Sequence, residues 1–440
     1  MGDKMTDSDY DVIVVGSGPG GAAIYRELAK QRKKVLLLER GANTPVKETI
    51  AGIASVAREC VVGSTLKAMT ASSVGGTSNL YFGVCKLPTS ETFARMGIDC
   101  SREVEEFKKE LPAAELSDEF LTPQTEKVAN SARQLGYRMK RNPMLIDQSK
   151  CDQGNYCYEA KWKPRSYVAE GLANGAHLTT GAVVQRIIIE HDRAVGVEYK
   201  CRTGLLGSRV CKAFGKRIVL SAGSFTTPKL LMDCGIRNIG SGGFFCHAAW
   251  MVGGKIPGLQ GKEAFLGYRD LDIDLGEGVV MGDGTMNSSL FKLVMLGNRK
   301  WNYVFSHSQT LLIGISVNDA MGGELKASGR YEKRLTSEEF GKLRAAEAIA
   351  IKILKNAGAR SIFTTKVMAG TPGGLLKVGQ HLDRNLETRV RNLYVCDHSV
   401  MCDDPEATPV VSLICFGKYL AKHLLASLDN VQPQRHAIAV

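Results

Sequence analysis

Four consecutive β-branched residues, Val12 to Val15, form the first apolar run and predict a buried strand. A glycine turn follows at once. Helical spacing then runs from Gly20 to Lys30, and a second apolar strand, Val35 to Leu38, ends in Glu39. Residues 41–74 read as loop and short helix. Charged amphipathic spacing predicts helices over 101–111 and 122–136, and a further helix spans 165–174. Short β-rich runs with turn punctuation fill 175–224. Thr227-Pro228 then starts a helix with proline in its first turn. From 240 to 330, glycines and alternating apolar residues such as Thr310 to Ile315 predict an antiparallel sheet. A strong helix spans Thr336 to Gly358, with Ser337, Glu338 and Glu339 at its start. The strand Asn392–Cys396 leads into an acidic turn at Asp397, and a last helix begins at Pro409 and runs to about Leu428.

The order strand, glycine turn, helix, strand, acid gives the first turn its chemistry. Gly16, Gly18 and Gly21 have the spacing of a dinucleotide-binding fingerprint, and Gly20 and Arg40 are grouped with them. Gly16 allows a tight turn, Gly18 lets backbone approach a pyrophosphate, and Gly21 lets helix and strand pack closely. The helix N-terminus favours negative charge. Glu39 lies about 20 residues on, where a carboxylate accepts hydrogen bonds from a ribose 2′-OH. An acid there predicts an unphosphorylated adenosine ribose, hence FAD or NAD over NADP.

A chain of 440 residues, 44% hydrophobic and 23% charged, can build two globular domains. No apolar run in the sequence approaches the ~20 residues of a membrane helix, so no membrane span is expected. The acidic Met1–Asp9 segment is unlike a signal peptide, and the expectation is a cytoplasmic protein. The twelve cysteines include no C-x-x-C pair and read as reduced thiols. Cys151 and Cys157 share a loop without a nearby histidine, so no metal site is expected. The net charge of +12 comes from interspersed residues and short clusters. It fits an anionic small-molecule substrate or a solvated surface, and without a binding module it does not imply nucleic acid.

A second glycine run, Gly75-Gly76-Thr77-Ser78-Asn79, offers backbone N–H groups and hydroxyls at close range. Together with Gly16, Gly18, Gly21 and Glu39 it resembles the glucose-methanol-choline (GMC) flavoprotein oxidoreductases. That resemblance implies an α/β fold: a Rossmann-like FAD-binding domain, a parallel sheet with helices, plus a second domain with an antiparallel sheet and helices. The implied division is 1–98, 175–243 and 376–440 for FAD, and 99–174 and 244–375 for substrate. It implies that the second glycine run follows the pyrophosphate and the flavin ring. Val183 or Val184 would meet the adenine through backbone, and Ala222-Gly223 would open another turn near the pyrophosphate. Asp397, His398, Pro409 and Val410 would close over the flavin. Thr77 and Ser78 are not the histidine that links FAD in some members, so the expected FAD is non-covalent. The resemblance names neither the substrate nor the electron acceptor.

The catalytic positions break the family pattern. Thr371, in Gly370-Thr371-Pro372-Gly373, stands where the resemblance implies a histidine base, and Thr408 stands where it implies the partner His or Asn. Neither hydroxyl is a general base unaided. His381 and His398 are the candidate replacements, and His247 and His307 rank below them. The expected reaction is hydride transfer from an alcohol or related C–H donor to flavin. A flavin-dependent desaturase, double-bond reductase or lyase, or a catalytically silent flavin scaffold, stays open beside it.

Overall fold

A computed structural model describes residues 9–203, 207–236, 238–267, 269–272, 278–401 and 408–429. The N-terminal residues before Asp9, and Cys402, lie outside the described residues.

Five strands make a parallel sheet in the order His177–Thr180, Val35–Glu39, Tyr10–Val15, Gly207–Leu220, Leu393–Val395. Tyr10–Val15 and Val35–Glu39 are buried almost throughout, which is why the sequence shows unbroken apolar runs there in place of alternation. Gly207–Leu220 extends beyond this sheet and pairs antiparallel with Arg193–Thr203, which pairs in turn with Ala182–Glu190.

The helices Pro19–Lys30 and Pro409–Asp429 pack together beside the sheet. Their backbones meet at glycine, since a Cβ on Gly417 would sit 2.6 Å from the Gly20 carbonyl oxygen. Contrary to the reading of the sequence, Pro409–Asp429 is long and apolar enough to cross a membrane; 67% of its most apolar window is buried inside the fold. Arg26 is buried between helices: its guanidinium lies 3.5 Å over the Tyr167 ring and pairs with Glu27 and Glu110. Glu110 also takes the Lys418 ammonium at 2.5 Å. This network ties four helices, Pro19–Lys30, Ser101–Glu110, Arg165–Ala173 and Pro409–Asp429.

The second sheet is mostly antiparallel and is centred on Ala248–Lys255, Thr310–Val317 and Val279–Asp283. The helix Ser337–Asn356 lies on it, burying Leu343, Ala346, Ala350, Ile353 and Leu354. Its start is a capping box: the Thr336 hydroxyl accepts from the Glu339 N–H, and the Glu339 carboxylate accepts from the Thr336 N–H at 2.6 Å.

Two further stretches depart from the sequence reading: the helix Ser288–Gly297 interrupts the segment read as antiparallel sheet, and 41–74 is more ordered than loop and short helix. Residues 41–74 hold a helix, Ile50–Val56, and then a hairpin, Ala57–Val62 with Leu66–Ala71. That hairpin joins the second sheet, although the sequence grouped it with the first domain. Leu66–Ala71 does alternate inward and outward, but with Lys67, Ala68 and Thr70 among its six residues the alternation carries little hydrophobic contrast.

Burial pushes the Glu110 carboxyl up, but hydrogen bonds from Arg26 and Lys418 and the Arg26 charge outweigh it and hold it at about 2, below the ordinary 4.5. A depressed carboxylate contributes stability that is complete above pH 4.5 and is lost as pH falls toward 2, roughly 3 kcal/mol in all. Urea titrations across that window should show Glu110→Gln less stable at pH 7 and flatter in its pH dependence than the parent. Parallel slopes would remove this network from the acid response.

Candidate functional site

The glycine turn makes different demands at each glycine. Gly16 has φ +100°, and a Cβ there would lie 2.3 Å from the Ser221 carbonyl oxygen. A Cβ on Gly20 would lie 2.6 Å from the Cys396 carbonyl oxygen, and one on Gly21 would lie 2.1 Å from that of Gly16. These three are required by protein packing. Gly18 differs: its φ is −63°, which any residue adopts, and nothing lies within 4 Å of its Cβ position. Gly18 is therefore the glycine whose missing side chain leaves open space, at the N-terminus of Pro19–Lys30, where unpaired N–H groups and the helix dipole attract an anion.

Glu39 is buried at the end of its strand and accepts from Ser17 N–H at 3.1 Å, Ser17 Oγ at 2.6 Å and Gly41 N–H at 2.7 Å. A carboxylate offers about four acceptor positions, so room remains for a hydroxyl. Ser17 Oγ also accepts from Gly75 N–H at 3.0 Å, which ties the first glycine turn to the second. Gly76 faces Gly18: a Cβ on it would stand 3.3 Å from the Gly18 Cα. Within the second loop, Thr77 Oγ accepts from Ala71 N–H, and the Asn79 amide donates to Ser73 Oγ and the Val74 and Gly76 carbonyls. Asn79 thus braces the loop, Ser78 is buried, and Thr77 is exposed. A cavity of about 900 Å³ opens beside these loops. Arg40, Gly41, Ser73 and Val183 line it, with Lys47, Arg58, Lys200 and Arg202 around it. Val183 faces this space, half exposed, while Val184 points into the core.

The middle and end of the chain converge on the same turn. Ser221 N–H donates to Val15 O, and Ser221 Oγ donates to Cys396 O. The Asp397 carboxylate accepts from Gly223 N–H, Thr227 Oγ, Ser399 N–H and Ser399 Oγ at 2.9, 2.5, 2.9 and 2.5 Å. Burial pushes this carboxyl above its ordinary range against those four donors. The Gly223 N–H is consumed by Asp397, and Ala222 N–H by Thr227 Oγ. Val410 is buried, and Pro409 starts the last helix just past Thr408.

The catalytic candidates separate. His381 is buried, and both its ring nitrogens serve backbone: Nδ1 accepts from Lys377 N–H at 2.9 Å, and Nε2–H donates to the Asn238 carbonyl at 3.0 Å. Burial pulls its pKa below the ordinary histidine value. With both nitrogens so used it braces its loop, and the expectation of a base at His381 gives way to that role. Thr408 Oγ donates to the Lys86 carbonyl at 3.2 Å, next to the last helix. Thr371 and His398 do come together. His398 Nδ1–H donates to the Pro372 carbonyl at 2.9 Å, and its ring meets Phe245 edge-on. His247 also meets Phe245, stacked at 4.8 Å, with its Nδ1 2.5 Å from Thr371 Oγ.

Sequence reasoning ranked His247 low because it lies in the segment read as the substrate domain, and its partner Thr371 is 124 positions away. Backbone pairing closes that distance. Thr371 N–H donates to Cys246 O, Gly370 N–H to His247 O, and Gly373 and Phe245 exchange both bonds.

A family model described as GMC oxidoreductase matches residues 50–248, and one for NAD(P)-binding Rossmann-like domains matches residues 14–44. Residues 50–248 thus carry a GMC oxidoreductase domain. A long-chain-alcohol oxidase of Arabidopsis thaliana is 23% identical over 400 residues, covering 80% of this chain and 54% of that protein. A GMC-type oxidoreductase of Mycobacterium tuberculosis is 27% identical over 263 residues, 53% of this chain and 40% of that one. The chain thus spans about half the length of the curated relatives it matches. Among solved structures, a pyridoxine 4-oxidase from Mesorbium loti superposes with TM-score 0.65 at 15% identity, over 94% of this chain and 99% of that one. A formate oxidase of Aspergillus oryzae gives 0.68 at 14% identity, over 96% and 99%. At such identities the likeness is one of fold, and it agrees with the two-sheet α/β architecture of this chain.

The glycine geometry separates packing from ligand space without any ligand. Gly21→Ala should destabilise by about 1–3 kcal/mol through overpacking, whereas Gly18→Ala should unfold at the parent's urea midpoint. Equal losses at the two positions would contradict this division.

Proposed function

We propose that this GMC chain binds FAD non-covalently across its two glycine loops and oxidises an alcohol-like small molecule. The observation that carries the reading is the open space at Gly18, between a helix N-terminus and Gly76, in a turn whose other glycines are all packed against protein. Gly18 and Gly76 backbone would hold the pyrophosphate. Glu39 and Val183 would hold the adenosine, and the Gly223 and Asp397–His398 turns would lie along the flavin. The family supports the same cofactor: the formate oxidase of similar fold is a protein whose FAD undergoes modification. The absence of histidine at Thr77 and Ser78 favours dissociable flavin.

The bound flavin supplies the two-electron acceptor for a substrate C–H. The chain's own residues bind and orient the donor and take its proton. The alcohol oxidase relative supports an alcohol donor, and the excess of Lys and Arg favours an anionic one. His247 against Thr371 favours alcohol oxidation over a desaturase, reductase, lyase or silent scaffold, because it puts an imidazole beside the threonine found in place of the family base.

Acid precipitation of the purified protein should leave FAD in a yellow supernatant. Flavin held in the pellet, or FMN in the supernatant, would contradict the assignment. Gly18→Val should fold without flavin, since the valine side chain fills the pyrophosphate space. Stoichiometric FAD in that variant would defeat the placement. An anaerobic screen of alcohols, sugars and organic acids, read by bleaching of the flavin band, identifies the donor; no bleaching by any alcohol would refute the activity.

A further inference from the structure

His247 is held more firmly than a surface imidazole needs to be. Its φ is +46°, in the left-handed region that costs a side-chain-bearing residue about 1–2 kcal/mol. The conformation is fixed by a buried acid from another strand end. Asp319, fully buried, accepts from His247 N–H at 2.6 Å and from Cys246 N–H at 3.0 Å. Lys333, also buried, pairs with Asp319 at 3.0 Å and donates to the Ala320 carbonyl. A desolvated ion pair is weak evidence of stability, because removing both charges from water costs about what their attraction returns. Its effect here is to fix one backbone conformation, which aims the His247 ring between Phe245 and Thr371.

The Thr371 hydroxyl has one protein partner among the described residues, His247 Nδ1. Thr371 is half-buried, and its backbone is pinned to Cys246. The segment 371–373 runs beside His398, whose neighbour Asp397 holds the turn that packs on the dinucleotide loop. The pair is thus built into the wall between the two sheets, on the side where the flavin turn ends.

We propose that Thr371 and His247 form a two-residue proton relay that replaces the base missing from this GMC chain, with the Asp319–Lys333 pair as its positioning device. The inference rests on the alcohol-oxidising reading above. The substrate hydroxyl gives its proton to Thr371 Oγ as the Thr371 proton passes to His247 Nδ1, which becomes part of an imidazolium. The two bonding electrons of the substrate C–H leave with its hydrogen as hydride for the flavin, and a carbonyl product remains. A threonine hydroxyl is too weakly basic to keep the proton, and an imidazole 2.5 Å away supplies the acceptor.

The relay requires that Nδ1 of resting His247 carry no proton and that Nε2 carry it. Two-bond ¹H–¹⁵N correlation on ¹⁵N-histidine-labelled protein reads the tautomer directly, with the His247 signal assigned by its loss in His247→Gln. The expected result is an unprotonated Nδ1 whose shift changes in Thr371→Val and stays near the parent's in Thr371→Ser. A protonated Nδ1 overturns the relay whatever the enzyme oxidises. With an alcohol that reduces the parent, His247→Gln and Thr371→Val should each slow flavin reduction by about 10²–10⁴-fold with FAD retained. Thr371→Ser should recover most of the loss seen in Thr371→Val. The double variant should be no slower than the worse single, as for residues acting as a unit. Parent-like rates in either single variant, or losses that multiply, also overturn it. If no alcohol reduces the parent, the activity fails on its own and the tautomer still decides the hydrogen bond.

Discussion

The close approach of backbone to backbone at Gly21 and Gly16 is the constraint on which the nucleotide half of this protein depends. A Cβ at Gly21 would stand 2.1 Å from the Gly16 carbonyl oxygen, so the first helix can start where it does only with hydrogen there. That contact brings the helix N-terminus over the end of the parallel sheet. Ser221 and Cys396, from the middle and the end of the chain, pack against the same turn and bond to each other. Three segments far apart in sequence thus share one small volume, and the only glycine of the fingerprint left facing open space is Gly18.

The second half depends on a different kind of contact. Asp319 and Lys333 are both out of water, and the acid's remaining acceptor capacity goes to the N–H groups of Cys246 and His247. Burying those charges brings little net stability, but an unpaired member would be costly, so the arrangement tolerates few alternatives. The strained His247 backbone, the stack on Phe245 and the contact with Thr371 follow from that fixed point. The two halves meet through His398, which bonds to Pro372 on one side and adjoins Asp397 on the other.

Much of this was legible in the sequence because it is local. The fingerprint turn, its helix and its acid lie within about thirty residues, and each glycine has a steric reason that spacing alone conveys. Ser337–Asn356 and Pro409–Asp429 announce themselves by period, cap and proline. The hairpin Ala57–Ala71 did not, because its strands use Ala, Thr, Lys and Glu, and their inward positions carry little apolar contrast. His381 looked as available as His398. Only the fold shows that Lys377 and Asn238 occupy its two nitrogens.

The sequence by itself determined the glycine turn and the strands and helices around it, since strand period, glycine spacing and capping are encoded within single elements. It also recorded that threonines stand at 371 and 408. The tertiary structure alone decided which imidazole stands beside Thr371 and which acid fixes it. Those relations join residues 72 and 124 positions apart. They depend on strand register and on where two sheets meet, and no local pattern of hydrophobic and polar residues carries that information.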